Sequence, residues 1–334
     1  MQRNIFFENL RMVFHDNFRI TQLYALYLER FPELITRELV ADLTGGGYMS
    51  ESEAVAALLC EIFGLDTEKS ADDRRLYRDY ILPSVRMMDE KRYVSNPYYK
   101  NIPLADIKRG DWEIKTESYA PYRGVIASDM IIREDFTEIP PLGFFKNEFK
   151  FPAALEGGNE WMTLTPVDLD TVDDAITEAH GKVITFGLGL GYYTYMVAEK
   201  EEVESITVVE RNPEVISIFK EFILPKFPHK EKVRVIEADA YAYMEKEMPK
   251  ENYDLAFVDI WRDASDGSKA YRKMKPLEKL SEKTKFLYWI EGFIISRLRA
   301  ERFAELDEAY ESGKLSMTKE EIIKELTDID RLIK

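Results

Sequence analysis

The spacing of apolar positions changes character twice along the chain. From the start to about residue 90, apolar residues recur three and four apart among charged ones, punctuated at Phe31-Pro32, Gly45-Gly46-Gly47 and Gly64. This predicts a helical N-terminal region, residues 1–90. In its stretch "SESEAVAALLCEIFG", Ser50 and Glu53 have capping-box spacing, Ala56, Leu59, Cys60 and Phe63 share one face, and Gly64 marks the stop. Over residues 91–165 the runs become short and rich in β-branched and aromatic residues, as in "WEIKTES", "GVIASDMII" and "KNEFKF", separated by Pro, Gly and Asp. They predict a small antiparallel β-region that ends near "EWMTLTP", Glu160 to Pro166.

From 166 to 334 strand-like and helix-like segments alternate. "KVITF", "SITVVE", "VRVIEA", "YDLAFVDI" and "KFLYWIE" are apolar runs spaced by helical stretches, which predicts βαβ units and a mostly parallel sheet with helices on both faces. The class is α/β. The last segment, "TKEEIIKELTDIDRLIK", carries a capping box from Thr318 to Glu321 and an apolar stripe of Ile322, Leu326, Ile329 and Ile333. A lone helix of this length is marginal in water, so the stripe is expected to dock on the domain or on a partner subunit, as in a homodimer.

Composition narrows the partners. The 334 residues hold 46 basic and 62 acidic side chains, a formal net charge of -16, which argues against a nucleic-acid backbone as the main partner. The N-terminal stretch is interrupted by charges, unlike the apolar core of a signal peptide, and no run approaches the roughly 18 apolar residues of a membrane span. The single cysteine, Cys60, excludes an intramolecular disulfide and fits a cytoplasmic location; on its helical face it reads as a small buried hydrophobe. His15, His180 and His229 are too far apart in sequence to pair at metal-ligand spacing, so no metal site is expected.

The chemistry concentrates at "VITFGLGLGYYTY", Val183 to Tyr195, a strand running into a turn with glycines at 187, 189 and 191. In an open α/β sheet the first strand-to-helix turn comes closest to a ligand, although a tight packing turn favours glycine too. The dinucleotide fingerprint needs a small residue where this chain has Tyr192, so a pyrophosphate is not expected. Glu210, 23 residues after Gly187 at the end of the second strand, can accept both hydroxyls of a ribose. Either Glu210 or Asp239 alone would read as a helix cap, but the two in register behind the glycine turn point to ligand contact.

With these four strand ends in order, residues 160 to 291 resemble the class I S-adenosylmethionine-dependent methyltransferases. "VITFGLGLG" is similar to that family's first motif, "ITVVERNPEV" to its second, "VRVIEADAYAYM" to its third and "YDLAFVDIW" to its fourth. The resemblance implies a Rossmann-like methyltransferase core that binds S-adenosyl-L-methionine through Gly187, Leu188, Gly189, Gly191, Glu210, Arg211, Asp239, Ala240 and Asp259. It places Asp239 at the adenine amino group. It also implies catalysis near Asp259, which could orient or deprotonate the acceptor, and Trp261, which could face a cation or simply pack. A departure is Thr185, where many members carry an acidic residue.

The β-region ahead of the glycine turn gives a layout similar to that of the spermidine synthases, which transfer an aminopropyl group from decarboxylated S-adenosylmethionine. Those enzymes have an acidic residue inside the turn, where this chain has Leu188 and Leu190, and a second aspartate where it has Arg262. Aminopropyl transfer is therefore the second expectation, and a non-catalytic scaffold with this fold is the third. Glu160, Trp161 and Thr163 are expected to line the substrate side or to pack over the cofactor cleft. No "[ND]-P-P-[YF]" follows the fourth strand, so the expected acceptor is a small molecule.

Overall fold

The computed structural model describes residues 5–102 and 107–334; residues 1–4 of the expected helical region and 103–106 of the expected β-region lie outside it. The chain divides into two compact units, each assembled from separated stretches. The first takes Met1–Glu90, Tyr119–Phe149 and Gly292–Lys334; the second takes Lys91–Ser118 and Lys150–Glu291.

The first unit is built on the helix Ile5–Arg30, whose buried residues Phe7, Leu10, Phe14, Ile20, Tyr24 and Tyr27 follow the helical period. Its N-terminal half packs with Phe136, Phe303, Leu306, Ile322 and Leu326, and its C-terminal half with Val55, Leu59, Tyr80, Ile81 and Phe144. The expected capping box forms: Glu53 N donates to Ser50 Oγ at 3.3 Å and Ser50 N to Glu53 Oε2 at 2.8 Å. Cys60 is buried, and burial pushes its thiol up to about 12, as suits a core residue rather than a reactive one.

The C-terminal segment docks on this chain's own first helix, with Ile322 and Leu326 wholly buried. The expected continuous stripe is corrected beyond them. Helix Lys319–Thr327 stops at Asp328, whose side chain accepts from Asp330 N and starts a new short helix Ile329–Leu332. The register shift buries Leu332 and leaves Ile329 and Ile333 half-buried.

The second unit holds the α/β core. Five strands, β1 (Gly181–Phe186), β2 (Val203–Glu210), β3 (Val233–Glu237), β4 (Leu255–Val258) and β5 (Lys285–Tyr288), pair in parallel in the order β3-β2-β1-β4-β5. This is a Rossmann-like sheet. Its central strand is covered by helices on both faces: Val183, Ile184 and Phe186 are completely buried, and the one polar residue among them, Thr185, is buried with them. The expected antiparallel sheet runs through Ile107–Arg109, Trp112–Tyr119, Phe149–Glu156 and Asn159–Thr163. "GVIASDMII" instead gives two short strands, Val125–Ile126 and Ile131–Ile132, in the first unit.

Candidate active site

The order of strands reverses at β1, whose neighbours are β2 and β4, so the crevice for a ligand in this fold lies at the carboxyl ends of these three strands. The glycine turn follows β1 there and is fastened to both neighbours. Gly187 N donates to Val209 O of β2 at 2.9 Å, and Asp259 N, just past β4, donates to Phe186 O at 2.8 Å.

The need for glycine has a packing explanation at each position. Gly187 has φ of +97°, and a Cβ there would collide with the Asp259 carbonyl oxygen. Gly189 has φ of +52°, and its Cβ would stand 2.5 Å from Met162 Sδ. Gly191 abuts the Phe219 ring. Leu188, between them, is buried.

Glu210 ties the turn to the end of β2. Its Oε2 accepts from Leu188 N at 3.1 Å and its Oε1 from Asn212 N at 2.8 Å, with the residue 9% exposed. An ionised carboxylate has about four acceptor positions, so two remain for a ligand. Arg211, next to it, is exposed. Asp239 caps the helix Ala240–Lys246 by accepting from Ala242 N at 2.9 Å through Oδ1; it is exposed, and Ala240 is buried below it.

Asp259 is half-buried, and its carboxyl is pushed up to about 8, first by loss of water and then by the charges of Asp168 and Glu210. Sequence patterns around the strands did not single out Asp168. It sits in the short helix Pro166–Asp170, where it accepts from Thr165 N at 2.8 Å and Thr165 Oγ1 at 2.7 Å. Burial raises it to about 6 against those hydrogen bonds, which lower it. The signal that could have found it is Thr165-x-x-Asp168, a capping box directly after "EWMTL". Asp168 and Glu210 thus both act electrostatically on Asp259 at the carboxyl end of the sheet, and none of the three forms an ion pair among the described residues. No group of ligands suited to a metal occurs among the described residues either.

The remaining expected residues separate. Trp261 is 6% exposed, stacks on Tyr288 with centroids 6.2 Å apart, and has no partner for its Nε1. Thr163 donates its hydroxyl to Asp168 at 3.4 Å. Trp161 meets Trp112 edge to face at 5.0 Å, and both line an apolar cleft with Ile114, Gly189, Leu190 and Val215. Glu160 is exposed and adds to the negative field on Asp168.

No protein-family model matches the sequence, and no curated protein matches it. Solved structures similar to it include a spermidine synthase from Thermotoga maritima, at 14% identity and a TM-score of 0.31, the match covering 46% of this chain and 59% of that one. Another is a precorrin-8W decarboxylase from Methanobacterium thermoautotrophicum, at 18% identity and 0.29, covering 45% and 73%. A third is a protein provisionally assigned as an O-methyltransferase from Klebsiella pneumoniae, at 18% identity and 0.24, covering 30% and 43%. These names include both groups that the motifs resemble. At such identities and scores the likenesses carry no inference about this chain's ligand or reaction.

Proposed function

We propose that the chain is an S-adenosylmethionine-dependent methyltransferase acting on a small molecule. The observation that carries this reading is the cluster of Glu210, Asp259 and Asp168, three carboxylates without a cationic partner at the carboxyl edge of β1, β2 and β4. Carboxylates buried together are unfavourable unless a positive charge joins them. A sulfonium nucleoside suits such a place, because it brings the charge and also hydroxyls for the spare acceptor positions of Glu210.

In this reading Glu210 holds the ribose, the free oxygen of Asp239 takes the adenine amino group, and Leu188 and Ala240 supply apolar walls. Arg211, exposed beside Glu210, flanks the nucleoside. When bound, S-adenosylmethionine supplies a methyl group on an electrophilic sulfonium. Asp259, held near 8 before the donor binds, gives up its proton beside the sulfonium charge, and the carboxylate so formed accepts the proton of the incoming nucleophile. Trp261, two residues after Asp259, has a free Nε1 to offer the acceptor as a donor, and Glu160, Trp161 and Thr163 border the acceptor's side. The net charge of -16 disfavours a nucleic acid as that acceptor. Among the described residues no helix is long and apolar enough to cross a membrane.

One observation favours aminopropyl transfer as a second reading. The acidic residue missing from the glycine turn has a counterpart in Asp168, which adds a carboxylate near Asp259 for an amine substrate. Isothermal titration with S-adenosylmethionine, S-adenosylhomocysteine and the decarboxylated donor separates the readings. Micromolar binding of the first, about -8 kcal/mol, is expected, with the neutral thioether weaker. Preference for the decarboxylated donor would replace methyl transfer by aminopropyl transfer, and silence from all three in folded protein would leave a scaffold.

A further inference from the structure

The strand Asn159–Thr163 pairs with Phe149–Glu156 through Ala154 opposite Met162 and then Leu155 opposite Glu160, which leaves Trp161 as the extra residue of a β-bulge. In a regular strand successive side chains go to opposite faces. Here both reach one turn. Trp161 lines the apolar cleft with Gly189 and Leu190, while Met162 brings its Sδ to 3.2 Å from Leu190 N, which donates to it. The same sulfur fills the space beside Gly189 that a Cβ would need.

A thioether is a weak acceptor carried on a side chain with three soft torsions. Leu190 N–H, on the turn that faces the crevice, is therefore held by a partner that an anionic oxygen would outcompete, since bonds to a charged acceptor are roughly twice as strong. We propose that Met162 is a displaceable cover on the glycine turn, giving up Leu190 N–H to the amino-acid carboxylate of an adenosyl donor and so setting which donors bind. This rests on the methyltransferase reading of the same site. The decarboxylated donor has no group to take over the bond, so it gains nothing from displacing the sulfur.

The test is titration of the full chain and its Met162→Ala and Met162→Leu variants with S-adenosylmethionine and with the decarboxylated donor. Loss of the competing acceptor should tighten S-adenosylmethionine binding by about fivefold in Met162→Ala. Met162→Leu keeps the volume and loses only the acceptor, so it should move the same way by less, and it reports even where the alanine variant folds poorly. The decarboxylated donor should change by less than about twofold. Equal affinities for S-adenosylmethionine in all three proteins would overturn the proposal while leaving the donor site intact, and so would an equal gain for both donors, which would mean mere widening. Absence of binding to either donor by all three proteins would overturn the donor site itself, and the cover with it.

Discussion

At the scale of single residues, Glu210 has two jobs that can be separated. It closes the glycine turn on Leu188 N and Asn212 N, and in the proposed function it holds a ribose. Glu210→Gln keeps the shape but offers one acceptor oxygen, so one of the two N–H groups loses its partner. Denaturant unfolding should show a loss of about 1 to 3 kcal/mol, and titration should show S-adenosylmethionine bound about tenfold more weakly. Unchanged affinity would remove Glu210 from the ligand.

Asp259 makes a prediction in pH. Its folded-state carboxyl, near 8, lies above the usual value of 3.8, so the unfolded chain binds fewer protons between those limits. The stability it contributes is complete below about pH 4 and is lost as the pH rises through about 8. Asp259→Asn lacks this loss, so its melting temperature should exceed that of the parent at pH 8.5 and converge with it near pH 4.5, a difference on the order of 3 kcal/mol. Parallel melting curves across that range would show that Asp259 is not held protonated.

At the scale of elements, the glycine turn was legible as a turn, and its cause was not. The run "FGLGLG" announces positive φ, but the neighbours that forbid a side chain come from far along the chain: the carbonyl of Asp259, the thioether of Met162 and the ring of Phe219. No local pattern predicts them. Gly187→Ala should therefore cost about 3 kcal/mol or more and abolish donor binding, because backbone stands in the way. Gly157, with φ of +58° and nothing within 4 Å, is the control; Gly157→Ala should cost only about 1 kcal/mol, the conformational penalty alone. Similar losses in the two variants, measured by denaturant unfolding, would contradict the packing explanation.

The parallel strands were legible because burial on both faces writes them as apolar runs. Helix ends marked by Ser50 and Thr318 were legible because their capping boxes are local. The break at Asp328 was missed because the stripe of Ile322, Leu326, Ile329 and Ile333 continues through it, and the side-chain cap on Asp330 N competes with the helix at that point. Asp168 escaped for the opposite reason: its local signal is an ordinary cap, and its electrostatic meaning arises only when the fold brings it near Asp259.

At the scale of the whole molecule, two units divide the chain, and the site described belongs to the second alone. Within that unit the parallel βαβ arrangement was readable from the alternation along the sequence, whereas the convergence of three carboxyl groups without a cationic partner was not, since it joins a short helix to the ends of two strands. In the proposed function that convergence is what favours a cationic ligand over other occupants of this fold. It can be weighed directly by titrating S-adenosylmethionine into the protein at pH 7 in buffers of different ionisation enthalpy. Asp259 enters protonated, and a sulfonium beside it lowers its pKa, so binding should release protons, the observed heat should depend on the buffer, and both effects should vanish in Asp259→Asn. Binding whose heat is the same in every buffer, or no binding at all, would contradict the carboxylate cluster as a site for a cationic donor.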